Sequence, residues 1–117
     1  MRLLCDSHVL VWWLDDPLKL APKARAAIAD PDNEVFFSAA SVWELGLKIA
    51  KGKLRMPKGY VDELRADGFD ELPVTVEHAE AATTLPAVHG DPFDRMLIAQ
   101  TLLENLVLVT RDEFIQQ

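Results

Sequence analysis

The stretch LLCDSHVLVWWL, residues 3–14, places a strand, an acid and a helix in immediate succession. Residues 3–5 predict a short buried strand that ends at Asp6. Residues 8–14 are apolar on every side, which predicts a helix buried in the core or against a partner. A strand that leads directly into a helix is the repeating unit of parallel sheets, so this stretch favours an α/β fold.

The same alternation continues along the chain. Capping and turn signals indicate where the helices begin and end: Ser41-x-x-Glu44 forms a capping-box pattern, Asp91 precedes Pro92, and Asn105 closes the last helix. Helices are predicted over residues 22–30, 41–53, 60–67, 77–85 and 93–104, and strands over 34–38, 72–75 and 106–109. Short apolar strands between helices predict one domain over residues 1–117, a three-layer α/β/α sandwich with a central parallel sheet.

Composition limits the possible partners and compartments. Half of the 117 residues are hydrophobic, which indicates a globular rather than a disordered chain. The net charge of −7 excludes nucleic-acid binding by overall charge, so such binding would need a local basic patch. Cys5 is the single cysteine, and no secretory signal or membrane span is visible, so we expect a soluble cytoplasmic protein.

Several acids are predicted to meet at one edge of the sheet. Ligands of parallel sheets bind outside the carboxyl ends of the strands. Asp6 follows the first strand, Glu44 lies one turn into the helix after the second, and Asp112 follows the fourth. Asp94 begins the helix that leads to the fourth strand. Capping is the simpler explanation, because helix N-termini favour carboxylates by about 0.3–1 kcal/mol each.

The stretch GDPFDRMLIAQ, residues 90–100, argues against capping alone. Asp91 already caps the helix, and Asp94 is aligned with the apolar positions 97, 98 and 101, so we expect its carboxylate to face the interior. Two carboxylates about 4 Å apart repel by about 4 kcal/mol at an effective dielectric near 20, more than helix dipoles return. The acids therefore need protons or a divalent cation, and an all-oxygen site favours Mg²⁺ or Mn²⁺.

Four motifs occur in order on the predicted elements. They are Asp6-Ser7-His8-Val9 with Trp12-Trp13, Ser41-Val42-Trp43-Glu44-Leu45, Asp91-Pro92-Phe93-Asp94-Arg95, and Val109-Thr110-Arg111-Asp112. Together they resemble the PIN-domain ribonucleases, specifically the VapC-type toxins of bacterial type II toxin–antitoxin pairs. Members of that family usually continue past the fourth acid with a further short strand, whereas this sequence stops at Gln117.

The resemblance implies a Mg²⁺- or Mn²⁺-dependent endoribonuclease. Its catalytic and metal-binding acids would be Asp6, Glu44, Asp94 and Asp112. Ser7 and Thr110 would support these acids through hydrogen bonds, and Asp91 would support the site by capping its helix. The resemblance also implies a homodimer that is silenced by a cognate antitoxin protein, whose tail covers the site.

A basic segment provides the patch that RNA binding would need. Its cations lie within eleven residues that contain no acid: Lys48, Lys51, Lys53, Arg55 and Lys58. Arg95 and Arg111, each beside a candidate acid, are alternative phosphate contacts. A solvated helix end would explain the lysines equally well. We expect structural roles for His8 and His89, and core positions for most of the three tryptophans.

Two other functions fit parts of the pattern. A phosphoacceptor receiver-like module would need an aspartate after the third strand, and residues 72–75 offer none. A catalytically idle PIN-fold module that only binds a partner remains the alternative to the nuclease.

Overall fold

The central sheet has five strands in the order β3-β2-β1-β4-β5. The computed structural model describes residues 1–86 and 90–111, and the backbone of residues 114–116. The strands are β1 (Arg2–Cys5), β2 (Glu34–Ser38), β3 (Asp70–Leu72), β4 (Val107–Val109) and β5 (Phe114–Gln116). Strands β1 to β4 pair in parallel, as predicted, and β5 pairs antiparallel with β4. The strand that seemed to be missing after residue 112 is therefore present.

Helices cover both faces of this sheet and complete the predicted α/β/α sandwich. They are α1 (Ser7–Asp15), α2 (Pro22–Ala29), α3 (Ala39–Ala50), α4 (Tyr60–Ala66), α5 (Val76–Thr84) and α6 (Pro92–Glu104), with a 3-10 turn at Pro17–Lys19. Leu3 and Cys5 of β1 belong to one buried cluster and Leu4 to the other, because alternate residues of a strand point to opposite faces. None of the helices in the described residues is long and apolar enough to span a membrane.

Two predicted boundaries are wrong because a different side chain caps the helix. Helix α3 begins earlier than expected: the Oγ of Ser38 accepts from the N–H of Ala40 at 3.0 Å, and Ser41 is buried inside the helix. Strand β3 ends at Leu72, before Pro73, which has no N–H for the ladder. Thr75, predicted in that strand, instead caps α5.

The capping of α6 agrees with the prediction. The Oδ1 atom of Asp91 accepts from the N–H groups of Phe93 and Asp94, at 2.8 and 3.2 Å. At the other end, Asn105 takes the left-handed conformation, with φ of 56°, and its N–H donates to the carbonyl of Thr101. Asp91 is therefore a helix cap, and this leaves the role of Asp94 open.

Candidate active site

Asp6 lies where the carboxyl end of β1 meets the start of α1. Its N–H donates to the carbonyl of Val109 at 3.0 Å, which extends the β1–β4 ladder by one bond. Its Oδ1 accepts from the N–H of Val9 at 2.9 Å and caps α1. One carboxylate oxygen is thus fixed by the fold, and the orientation of the side chain is set before any ligand binds.

The surroundings of Asp6 oppose its ionisation. Burial raises the pKa of this carboxyl above its usual range, and the negative charge of Asp94 raises it further. The bond from Val9 and the charges of His8 and Arg111 act in the opposite direction without cancelling the burial. Because the charge of Asp94 acts on Asp6, the first turn of α6 lies near the end of β1.

Asp94 does not face the interior, so that expectation is wrong. Leu97, Ile98 and Thr101, on the same helical face, are buried, whereas Asp94 is exposed. Asp94 lies in the first turn of α6, where Asp91 and Pro92 are exposed as well. An exposed carboxylate beside the half-buried Asp6 is better placed to meet a ligand from solvent than one enclosed in the core.

Glu44 is held by two partners. The Oγ of Ser7 donates to its Oε1 at 2.5 Å, and Nζ of Lys48 lies 3.4 Å from its Oε2. Only 13% of the Glu44 side chain is exposed. The helical ion pair with Lys48 that the sequence suggested is therefore present. Ser7, the residue after Asp6, also links Glu44 to the start of α1. The predicted supporting hydroxyl thus has a defined acid partner.

The fourth acid of the predicted set, Asp112, lies outside the described residues, as does His89. Thr110 follows Val109, whose carbonyl binds Asp6, so it begins the segment that leads to Asp112. Within the described ranges, no three carboxylate, imidazole or thiolate groups lie close enough together to hold a metal ion. Asp6 and Asp94 are still a suitable pair of oxygen donors, because Mg²⁺ is commonly held by one or two carboxylates together with water and phosphate oxygens.

The basic segment borders these acids. Lys48 and Lys53 line a groove between α1 and α3 that also includes Ser7. With Lys51 they line a second groove beside Glu44 and Asp91. Arg55 is exposed further along the chain, and the guanidinium carbon of Arg111 lies 6.0 Å from the ring centroid of Trp12. Lys48, Lys51 and Lys53 are therefore close to the acid edge.

Arg95 has a role that the sequence prediction missed. Its guanidinium donates to the carbonyls of Ala82, Leu85 and Pro86, at distances from 2.7 to 3.0 Å. These carbonyls belong to the end of α5 and the residues after it, where orphan acceptors need donors. Arg95 therefore joins α5 to α6, and its prediction as a phosphate contact is not supported by these bonds.

The substitution Arg95→Lys tests this structural role. A lysine keeps the charge but cannot serve three carbonyls with one planar fork, so we expect the free energy of unfolding to fall by about 1–2 kcal/mol. Urea denaturation measures this loss, and RNA affinity measured on the folded variant should stay the same. Weaker RNA binding without a loss of stability would restore the phosphate contact.

Comparison with known proteins places this chain in a family. Residues 3–117 match the family described as PIN domain. The chain is 31% identical to Ribonuclease VapC22 of Mycobacterium tuberculosis (strain ATCC 25618 / H37Rv) over 113 residues, which cover 94% of this chain and 86% of that protein. It is 38% identical to Ribonuclease VapC16 of the same organism over 64 residues, 51% of this chain and 44% of the relative.

A solved structure shares the fold. The crystal structure of VapBC2 from Rickettsia felis, bound to a DNA fragment from its promoter, contains a chain that superposes with a TM-score of 0.68. The match covers 94% of this chain and 87% of the other, at 13% sequence identity. At this identity the likeness concerns the fold.

Proposed function

Because the chain belongs to the PIN domain family, we propose that it is a Mg²⁺- or Mn²⁺-dependent endoribonuclease, the toxin of a toxin–antitoxin pair. The observation that carries the proposal is the position of Asp6 at the carboxyl end of β1, held by Val9 and Val109, with Asp94 in the first turn of α6 near enough to raise its pKa. Its relatives named as VapC ribonucleases support RNA as the substrate. The lysines beside Glu44 support it as well, because they provide cations for RNA phosphates.

In this proposal Asp6 and Asp94 would hold the cation, and Glu44 and Asp112 would either complete its shell or position the attacking water. A bound Mg²⁺ or Mn²⁺ lowers the pKa of water and stabilises the leaving oxygen of a phosphodiester. The chain itself contributes orientation: the Val9 bond fixes Asp6, and Ser7 fixes Glu44. Thr110 would support these acids through a hydrogen bond.

The cations of the basic segment bind the RNA backbone in this proposal. Lys51 and Lys53 are exposed and line the groove beside Glu44 and Asp91, where they can meet phosphates, and Arg55 is exposed two residues further along the chain. Lys48 is already paired with the carboxylate of Glu44, so in this proposal it contacts both Glu44 and an RNA phosphate. Arg111, whose charge lowers the pKa of Asp6, is a further phosphate contact in this proposal.

We further propose that the chain forms a homodimer and binds a cognate antitoxin. The fold likeness to a chain of a VapBC2 structure supports the antitoxin. Large apolar side chains exposed on α5 and α6, which are Val76, Leu102 and Leu103, support a protein partner at that layer. A cytoplasmic location is in keeping with Cys5, which is buried and whose pKa burial raises.

Incubating the purified protein with end-labelled RNA tests the nuclease. We expect cleavage in Mn²⁺ or Mg²⁺ and none in excess EDTA, with 5′-phosphate and 3′-hydroxyl ends, because the nucleophile is water and not the RNA 2′-hydroxyl. A preparation carrying Asp6→Asn controls for contaminating ribonucleases. Cleavage that persists in EDTA would contradict the metal mechanism. Intact RNA under every condition would favour the alternative, a PIN fold that only binds a partner.

A further inference from the structure

We propose that the groove between α1 and α3 receives one nucleobase of single-stranded RNA beside the cleaved phosphate, and that the ring of Trp12 is its stacking surface. The inference rests on the proposed ribonuclease function and adds a recognition site to it. The α1–α3 groove is lined by Ser7, His8, Val11 and Trp12 from α1, and by Lys48 and Lys53 from α3 and the residues after it.

The position of the groove fits a nucleotide next to the reacting one. It begins at Ser7, which follows Asp6 and donates to Glu44, so one end of the groove touches the acid site. Trp12 lies five residues further along α1, about 7.5 Å along the helix axis. His8 and Trp12 are four residues apart, so they share one face of the helix. An RNA strand that leaves the acids along this face of the helix therefore meets the ring of Trp12 next.

The chemistry of the groove also fits RNA. Lys48 and Lys53 line it, and the guanidinium of Arg111 lies over the Trp12 ring at 6.0 Å. Aromatic rings combined with cations along the backbone path are the usual means of holding single-stranded nucleic acid. The groove has a volume of about 270 Å³, which is room for one base and not for a folded element.

Trp43, which is more exposed than the partly buried Trp12, lacks this setting. Trp43 is 65% exposed and packs edge-on against Phe93, with ring centroids 5.2 Å apart. The groove beside it is lined by apolar side chains, among them Leu47, Val74 and Met96. Without cations in that lining, a phosphate next to a base stacked there would have no partner. Trp12 is therefore the tryptophan that we assign to RNA, and Trp43 is its matched control.

The test measures binding of fluorescein-labelled single-stranded RNA oligonucleotides by anisotropy, in the presence of Mn²⁺ and in an Asp6→Asn background that prevents cleavage. Each oligonucleotide carries one abasic position near the mapped cleavage site. We expect Trp12→Leu to weaken binding about 10-fold and Trp12→Phe, which keeps a ring, by less than about 3-fold. Trp43→Leu should bind as the parent does.

The abasic series separates stacking from a structural role. One abasic position should weaken the parent about as much as Trp12→Leu does, and should not weaken Trp12→Leu any further. Additive losses, or a Trp12→Leu protein that binds like the parent, would overturn the inference. So would a loss confined to binding of the cognate antitoxin, because the groove would then hold a protein segment.

A fluorescence measurement covers the case in which Trp12→Leu does not fold. The double variant Trp13→Phe, Trp43→Phe retains Trp12 as its single tryptophan, since the chain has three. RNA should quench its emission, and the abasic oligonucleotide identified above should quench it less. Equal quenching by both would count against stacking. If the wild-type protein cleaves no RNA, the proposed function fails; if it cleaves RNA and Trp12 responds to no base, only this inference fails.

Discussion

The substitution Asp6→Asn should lower RNA cleavage by about 10³-fold while leaving the fold intact. The carboxylate of Asp6 is one of the two coupled charges at the carboxyl edge of the sheet, so its loss removes half of the pair that would hold the cation. Asparagine caps helices as well as aspartate does, and it can still accept the bond from Val9. The variant therefore loses charge without losing the start of α1.

The stability of this variant gives an independent measure of the same charge. Burial raises the pKa of Asp6 above its value in the unfolded chain, so its stabilising contribution is present at low pH and is lost as the pH rises through the folded value. At neutral pH without metal, Asp6→Asn should thus be as stable as the wild type or more stable. Mn²⁺ at one hundred times its Kd should stabilise the wild type by about 2.7 kcal/mol and leave the variant unchanged.

Asp16→Asn is the matched control for this measurement. Asp16 is also a capping aspartate at an end of α1, and its Oδ1 accepts from the N–H of Leu18 at 3.3 Å. It belongs to no part of the proposed site, so the variant should keep both cleavage and the Mn²⁺ shift. An Asp6→Asn protein that is folded, shifts with Mn²⁺ and cleaves RNA would remove Asp6 from the active site.

The sequence predicted the layers of the fold because its signals for them are local. Alternate residues of β1 enter opposite cores, and Asp91 with Asn105 bounds α6, as expected. The start of α3 was missed because two serines compete for the cap, and only the packed structure shows that Ser38 takes it. Strand β5 was missed because three residues near a chain end carry little pattern of their own, and its antiparallel pairing with β4 is a tertiary interaction.

The candidate site was predictable to a smaller extent. The sequence indicated Asp6, Glu44 and Asp94 through their positions after strands and at helix starts, and Ser7 as a support. It could not show that Asp94 is exposed. Helical periodicity shows which residues share one face of a helix, but not which turns of that face are covered by the core. Nor could it show that Arg95 serves the carbonyls at the end of α5, since these acceptors lie up to thirteen residues away along the chain.

Asp94→Asn should mainly lower cleavage and Asp91→Ala should mainly lower stability, although the two residues lie only three positions apart at the start of α6. Asp94 is exposed and the helix is already capped by Asp91, so Asp94→Asn should change the free energy of unfolding by about 0.5 kcal/mol at most, the scale of one helix-dipole contact. The same change should lower cleavage by about 10²–10³-fold, because it removes the second of the coupled charges.

Asp91→Ala supplies the contrast. It removes the acceptor of the Phe93 and Asp94 N–H groups and should lower the free energy of unfolding by about 1 kcal/mol, with cleavage by the folded fraction reduced less than about tenfold. Urea titrations and cleavage rates in Mn²⁺ should be measured on both variants. Asp94→Asn should lose more cleavage, and Asp91→Ala should lose more stability. Parallel losses in both variants would mean that Asp94 only assists the helix, and the cation would then need another second ligand. If Asp94→Asn lowers cleavage while Asp91→Ala lowers stability, the charge of Asp94 serves the chemistry and the carboxylate of Asp91 serves the helix.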